Sequence, residues 1–144
     1  PIIPATFRDY TSQLPNWEKQ LLAHIQWNMS PFEILHHLHT TPTNPGLIIA
    51  TDGSASETQG MSFGAVIGTT QGQILATAMG PADGPPQSHR AKSMGVLAGS
   101  RLLIHLTKFT GIPFPALTEF TITCDSQKVI NALNRRRQYD RVYA

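Results

Sequence analysis

The stretch Leu47-Ile48-Ile49-Ala50-Thr51-Asp52-Gly53-Ser54 decides how this chain folds. Four apolar residues lead without interruption into a threonine and an aspartate, and a polar turn follows from Ser54 to Gly60. A short apolar run bounded by turn residues reads as a buried strand, here expected to end at Asp52. Met61 to Thr69 is β-prone, Thr70-Gln71-Gly72-Gln73 has the composition of a hairpin turn, and Ile74 to Met79 supplies a third strand. Gly80 to Gln87 then holds three prolines and two glycines, so the sheet is expected to pause.

Beyond that pause, Ser88 caps a helix expected to reach Phe109. Ala91, Gly95, Ala98, Leu102, Leu106 and Phe109 recur at steps of three and four and mark its buried face. The first half of that face is built from small residues, so the helix can approach the sheet closely. Phe120 to Cys124 is the next strand, and Ser126 caps a helix with Val129, Ile130 and Leu133 facing inward. Short turns make the first three strands an antiparallel meander. The fourth is reached through a long helical crossover and should pair in parallel with the first.

Upstream, Trp17, Leu21, Ile25 and Met29 fall four apart, the spacing of one helix face. Ser30-Pro31-Phe32-Glu33 has the capping-box pattern that starts a second helix. Thr40 to Gly46 is polar, carries two prolines and reads as a linker. The expected organisation is a helical connector over 1–45 and an α/β domain over 46–144.

The chain has 144 residues, 40% of them apolar, with a net charge of +2. That excludes a disordered protein, and no apolar run reaches the roughly 20 residues of a membrane span. Pro1-Ile2-Ile3-Pro4 lacks the basic start and apolar stretch of a secretory signal, and the absent initiator methionine suggests a piece of something longer. The single cysteine, Cys124, excludes an internal disulfide and fits a reducing intracellular compartment, cytoplasm or nucleus. Arg135, Arg136, Arg137 and Arg141 crowd the tail. Such a run neutralises phosphates or, equally, complements the end of a solvated helix.

Asp52 and Asp125 close two strands, and Arg90-Ala91-Lys92 opens the helix between them. Magnesium takes hard oxygen ligands, and one or two carboxylates with substrate phosphate suffice. Two ions about 4 Å apart cleave phosphodiesters by activating water and stabilising the leaving oxygen. Taken singly, each aspartate is more commonly a turn or cap residue; the pair in matching contexts carries the argument. Lys92 has no lone pair for a metal while protonated. Two placements are open for it: between the two aspartates as a counter-charge, or out in solvent.

Thr51-Asp52-Gly53-Ser54, the Phe63-Gly64-Ala65-Val66 strand, Arg90-Ala91-Lys92, and Cys124-Asp125-Ser126 before Val129-Ile130-Asn131-Ala132-Leu133 together resemble ribonuclease H of the type fused to retroelement reverse transcriptases. The resemblance spans Leu47 to Leu133, and the Trp17 segment resembles the connector between polymerase and nuclease. It implies a ribonuclease H-like mixed sheet, C-terminally truncated, with an N-terminal helical extension. It also implies hydrolysis of the RNA strand of RNA–DNA hybrids by two magnesium ions held by four acids. Asp52 matches the first acid and Asp125 the third. Lys92 stands where the second is normally glutamate, which implies a nuclease fold with catalysis lost or impaired. The fourth acid has no match, since Asp140 lies in a different context. The nucleic-acid-binding positions are then Ser54, Arg90, Lys92, Arg135, Arg136 and Arg137, and the partner is the rest of a reverse transcriptase polyprotein.

Two rivals remain open. One is an active nuclease that recruits Glu57 or Asp83, and the other is a non-catalytic nucleic-acid-binding or structural module. The histidines at 36, 37 and 39 have no cysteine or further acid at metal-ligand spacing, and His89, beside Arg90 at the helix start, is within reach of a phosphate but reads first as a cap or exposed residue. Ser54 and Ser126 lack a histidine partner and read as caps.

Overall fold

The computed structural model describes residues 5–41, 46–56, 60–82 and 88–123. Helices α1 (Phe7–Thr11) and α2 (Asn16–Leu21) lead to strand β1 (His24–Trp27) and helix α3 (Pro31–Thr40). Strands β2 (Leu47–Ser56), β3 (Gly60–Thr69) and β4 (Ile74–Ala82), helix α4 (Ser88–Thr110) and strand β5 (Phe120–Thr123) follow. The five strands form one mixed sheet in the order β1-β4-β3-β2-β5. All neighbours are antiparallel except β2 and β5, which are parallel. The meander and the parallel fourth strand therefore form as the turn lengths require, in an α/β arrangement compatible with a ribonuclease H-like fold.

Packing of α4 on the sheet depends on its small residues. Ala91, Ala98, Leu102 and Leu106 are buried, and a β-carbon built on Gly99 would overlap Ile49 Cγ2. No other residue type lets the helix backbone come so near the strand. The helix ends at Gly111, whose φ of 71° sets its N–H on the Thr107 carbonyl at 2.8 Å. A glycine in the left-handed region is the usual way to close a helix C-terminus.

The α4-covered face of the sheet carries Leu47, Ile49, Phe63 and Ile67, and all four join the core cluster. Phe7 from α1, Leu21 and Leu22 around the end of α2, and Ile34, Leu35 and Leu38 from α3 belong to the same cluster. Phe7 packs edge-on against Trp27 at 5.1 Å and Phe109 at 5.5 Å, which fastens α1 to both the sheet and α4. At α3, Ser30 Oγ accepts the Glu33 N–H at 3.3 Å with proline at the first turn, as its capping pattern requires.

Three sequence expectations are corrected. The 17–29 segment is not one helix: α2 stops at Leu21, and His24–Trp27 pairs with β4 as an edge strand. The spacing of four matched a helix, but Ile25 and Trp27 also alternate with His24 and Gln26, the period of a strand. Pairing with β4 decided the outcome, and Trp17 is left 50% exposed. The extension is thus helical and stranded, not purely helical. Strand β2 does not end at Asp52 but runs to Ser56, because β3 offers partners as far as Gly60. Strand β4 likewise continues through Gly80 and Pro81, opposite Phe63 and Ser62. Pro81 is tolerated there because β1, whose last partner in that direction is Met79, does not reach it.

Candidate functional site

Asp52 lies inside the β2–β3 ladder, opposite Gly64. The residue before it, Thr51, is fully buried, and its hydroxyl donates to the Thr123 carbonyl at 3.2 Å. This bond ties β2 to β5 immediately before the two aspartate-bearing stretches. Arg90 and Lys92 fall in the first turns of α4, as expected.

The level of Lys92 relative to Asp52 follows from the topology. Helix α4 joins β4 to β5, both of which run parallel to β2, so it must return against the strands. From the Gly99–Ile49 contact, Lys92 lies seven residues back along the helix, about 10 Å. Asp52 lies three residues onward along β2, again about 10 Å. The two displacements point the same way, so positions 92 and 52 come to the same height. Position 92 shares the i, i+3, i+7 stripe with Gly95 and Gly99.

Asp125, Ser126, Glu57, Asp83, Asp140 and the arginines at 135, 136, 137 and 141 lie outside the described residues. Ser54 is opposite Ser62 in the β2–β3 ladder. Among the described residues no cluster of three histidine, cysteine, aspartate or glutamate side chains forms a metal-binding group. On α3, His39 Nε2 reaches the Pro113 carbonyl at 2.6 Å, tying that helix to the loop after α4, while His37 Nε2 is buried without a partner among the described residues.

A different polar cluster, missed in the sequence, is fully formed. Glu18 on α2 and His105 on α4 are buried at 5% and 3% exposure. Glu18 Oε2 receives His105 Nε2 at 2.5 Å and Arg101 Nε at 2.7 Å. Tyr10 Oη reaches His105 Nδ1 at 2.7 Å, and the Arg101 guanidinium lies over the Trp17 ring at 5.6 Å. With the imidazole proton on Nε2, the Tyr10 hydroxyl donates to Nδ1 and the ring donates to Glu18, so each group is satisfied. Burial alone would raise the Glu18 carboxyl, but the hydrogen bonds and charges of His105 and Arg101 outweigh it and hold it below the ordinary carboxylate range. Burial, then the Glu18 charge, raise the Tyr10 phenol. These bonds join α1, α2 and α4 in one polar clamp. One signal was present: His105 lies three residues after Leu102 and four before Phe109, on the buried stripe of α4.

A cleft of ≈ 720 Å³ opens between α1 and β1 and reaches onto β4 and β3, lined by Phe7, Arg8, His24, Trp27, Phe63 and Met79. No described helix is long and apolar enough to cross a membrane. No family model matches the chain, and neither a curated protein nor a solved structure matches it.

Proposed function

We propose that this chain is a ribonuclease H-like domain of a retroelement polyprotein that binds RNA–DNA hybrid with its cleavage activity lost or severely impaired. The observation that carries the reading is the β2–β5 register. Leu47 pairs with Phe120 and Ala50 with Thr123, a constant offset of 73 positions, which is also the offset from Asp52 to Asp125. The two aspartates thus keep in sequence the same offset that the described strands keep in their pairing. The sheet order, with the aspartate strand central between an antiparallel and a parallel neighbour, supports the same reading.

The donor set fits magnesium poorly. Lysine at position 92 replaces a carboxylate with an ammonium, changing the local charge by two units. At about 4 Å and the effective dielectric of a protein surface, each pair of unit charges interacts by about 4 kcal/mol. An ammonium at that range both repels a divalent ion and neutralises the carboxylates that would attract it. What the chain retains is cationic: Arg90, Lys92 and the 135–137 arginines attract a phosphate backbone.

Binding and cleavage of a labelled RNA–DNA hybrid, with and without magnesium, test the proposal. The unaltered chain should bind with an affinity that falls steeply with salt and should not cut. Lys92→Glu should restore magnesium affinity, and cleavage in part. Magnesium-dependent RNA cleavage by the unaltered chain, abolished by Asp52→Asn, would establish an active enzyme instead.

A further inference from the structure

In the polar clamp, one carboxylate oxygen holds two nitrogen centres together. His105 Nε2 and Arg101 Nε both meet Glu18 Oε2, and Arg101 Nη2 stands 3.4 Å from His105 Nε2. The guanidinium is charged at every working pH, and an imidazole becomes cationic when it takes a second proton. The clamp accommodates either state of His105. Neutral, the ring accepts the Tyr10 hydroxyl at Nδ1; protonated, it donates from Nδ1 to the same oxygen, because a phenol hydroxyl both donates and accepts. A neutral Glu18 is not accommodated in the same way. Without its charge, guanidinium and imidazolium stand 3.4 Å apart at 26% and 3% side-chain exposure, and neither has another ion pair among the described residues.

We propose that Glu18 is the switch of a local latch: while its carboxylate is charged, α1 and α2 stay docked on α4, and when it is neutralised they undock while the sheet and α4 stay folded. Tyr10 and Glu18 make the side-chain hydrogen bonds that join α1 and α2 to α4 among the described residues. The next element, β1, is held independently by its backbone pairing with β4. The titratable and charged groups that act on Glu18 are His105 and Arg101 from α4, with Tyr10 from α1 beside them. Since His105 and Arg101 keep the carboxyl below its ordinary range, the latch stays shut in mild acid and releases as pH falls through that lower value. Release also opens the ≈ 720 Å³ cleft, because α1 contributes Phe7, Arg8 and Thr11 to its lining. The latch does not depend on the nuclease reading.

Hydrogen exchange of the full chain, followed segment by segment and corrected for the intrinsic pH dependence of amide exchange, tests the latch. In the unaltered chain, residues 7–21 should keep their protection from neutral into mildly acid pH. At lower pH they should lose it ahead of β3 and β4. Glu18→Gln removes the charge and keeps the shape. It should speed exchange over 7–21 at least about tenfold at neutral pH and leave β3 and β4 unchanged. In mild acid it should open further, as His105 takes up its proton. Adding His105→Gln should abolish that further opening, which lost packing alone does not do. Protection lost in β3 and β4 together with 7–21 would overturn the proposal by showing one cooperative unit. Opening of the unaltered chain already in mild acid would overturn it too, as would exchange in Glu18→Gln that is flat across this range or keeps its pH response after His105→Gln.

Discussion

Glu18 Oε2 and His105 Nε2 stand 2.5 Å apart although 87 positions separate them in sequence. With Arg101 on the same carboxylate oxygen, this contact joins the N-terminal segment to the crossover helix. Removing the carboxylate leaves two cationic or polar partners facing a buried gap. Glu18→Ala should therefore cost about 2–4 kcal/mol, measured by denaturant unfolding. Glu18→Gln, which keeps one acceptor, should cost less.

The same carboxylate makes stability depend on acid. Its folded pKa is depressed by His105 and Arg101. The contribution is therefore complete above the ordinary glutamate range and is lost as pH falls through the lower, folded value. Thermal midpoints taken from neutral pH downward should stay level and then drop in the acid range. The drop should be shallower in Glu18→Gln; an equal drop would show that other carboxylates carry it.

Gly99→Ala forces a β-carbon into Ile49 Cγ2. The helix must lift from β2, at a cost of about 1–3 kcal/mol. Ile49→Ala alone opens a cavity. In combination the two should be less harmful than their sum, because the smaller strand residue makes room. Additive losses in a double-mutant cycle would refute the close approach.

Thr51→Val deletes the hydroxyl that donates to the Thr123 carbonyl from a fully buried position. The expected loss is about 1 kcal/mol. Hydrogen exchange should quicken most at β5, whose only described strand partner is β2.

Asp52→Asn separates the two readings of the aspartates. In the unaltered chain it should leave hybrid affinity unchanged or slightly raised, since it removes a negative charge near the phosphates. In the Lys92→Glu background it should abolish whatever magnesium affinity was regained, as calorimetry would show.

The strands and crossover helix were legible because each carried its own period and its own punctuation. Leu47–Ala50 was an apolar run, Gly72 marked the hairpin, and α4 repeated its small and large apolar residues over six positions. The first half was less legible because its elements are short. Ile25 and Trp27 satisfy a strand, but Trp17, Leu21, Ile25 and Met29 satisfy a helix equally well, and only pairing with β4 separates the two. Asp52 and Lys92 stood out only through a resemblance, while the described topology puts positions 52 and 92 at a common height. Tyr10, Glu18 and Arg101 gave no signal, since their meeting point is set by three helices whose docking no local pattern encodes.

The edge position of β1 bears on where this chain can be cut. A fragment beginning at Leu47 would keep the aspartate strand, the meander and the crossover helix. It would nevertheless strip β4 of its outer partner and uncover apolar surface now shielded by Phe7, Leu21, Leu35 and Leu38. A newly bared strand beside exposed leucines is prone to self-association. For expression work the N-terminal segment should be retained as part of the folding unit, and trimming it as a dispensable linker should yield aggregates.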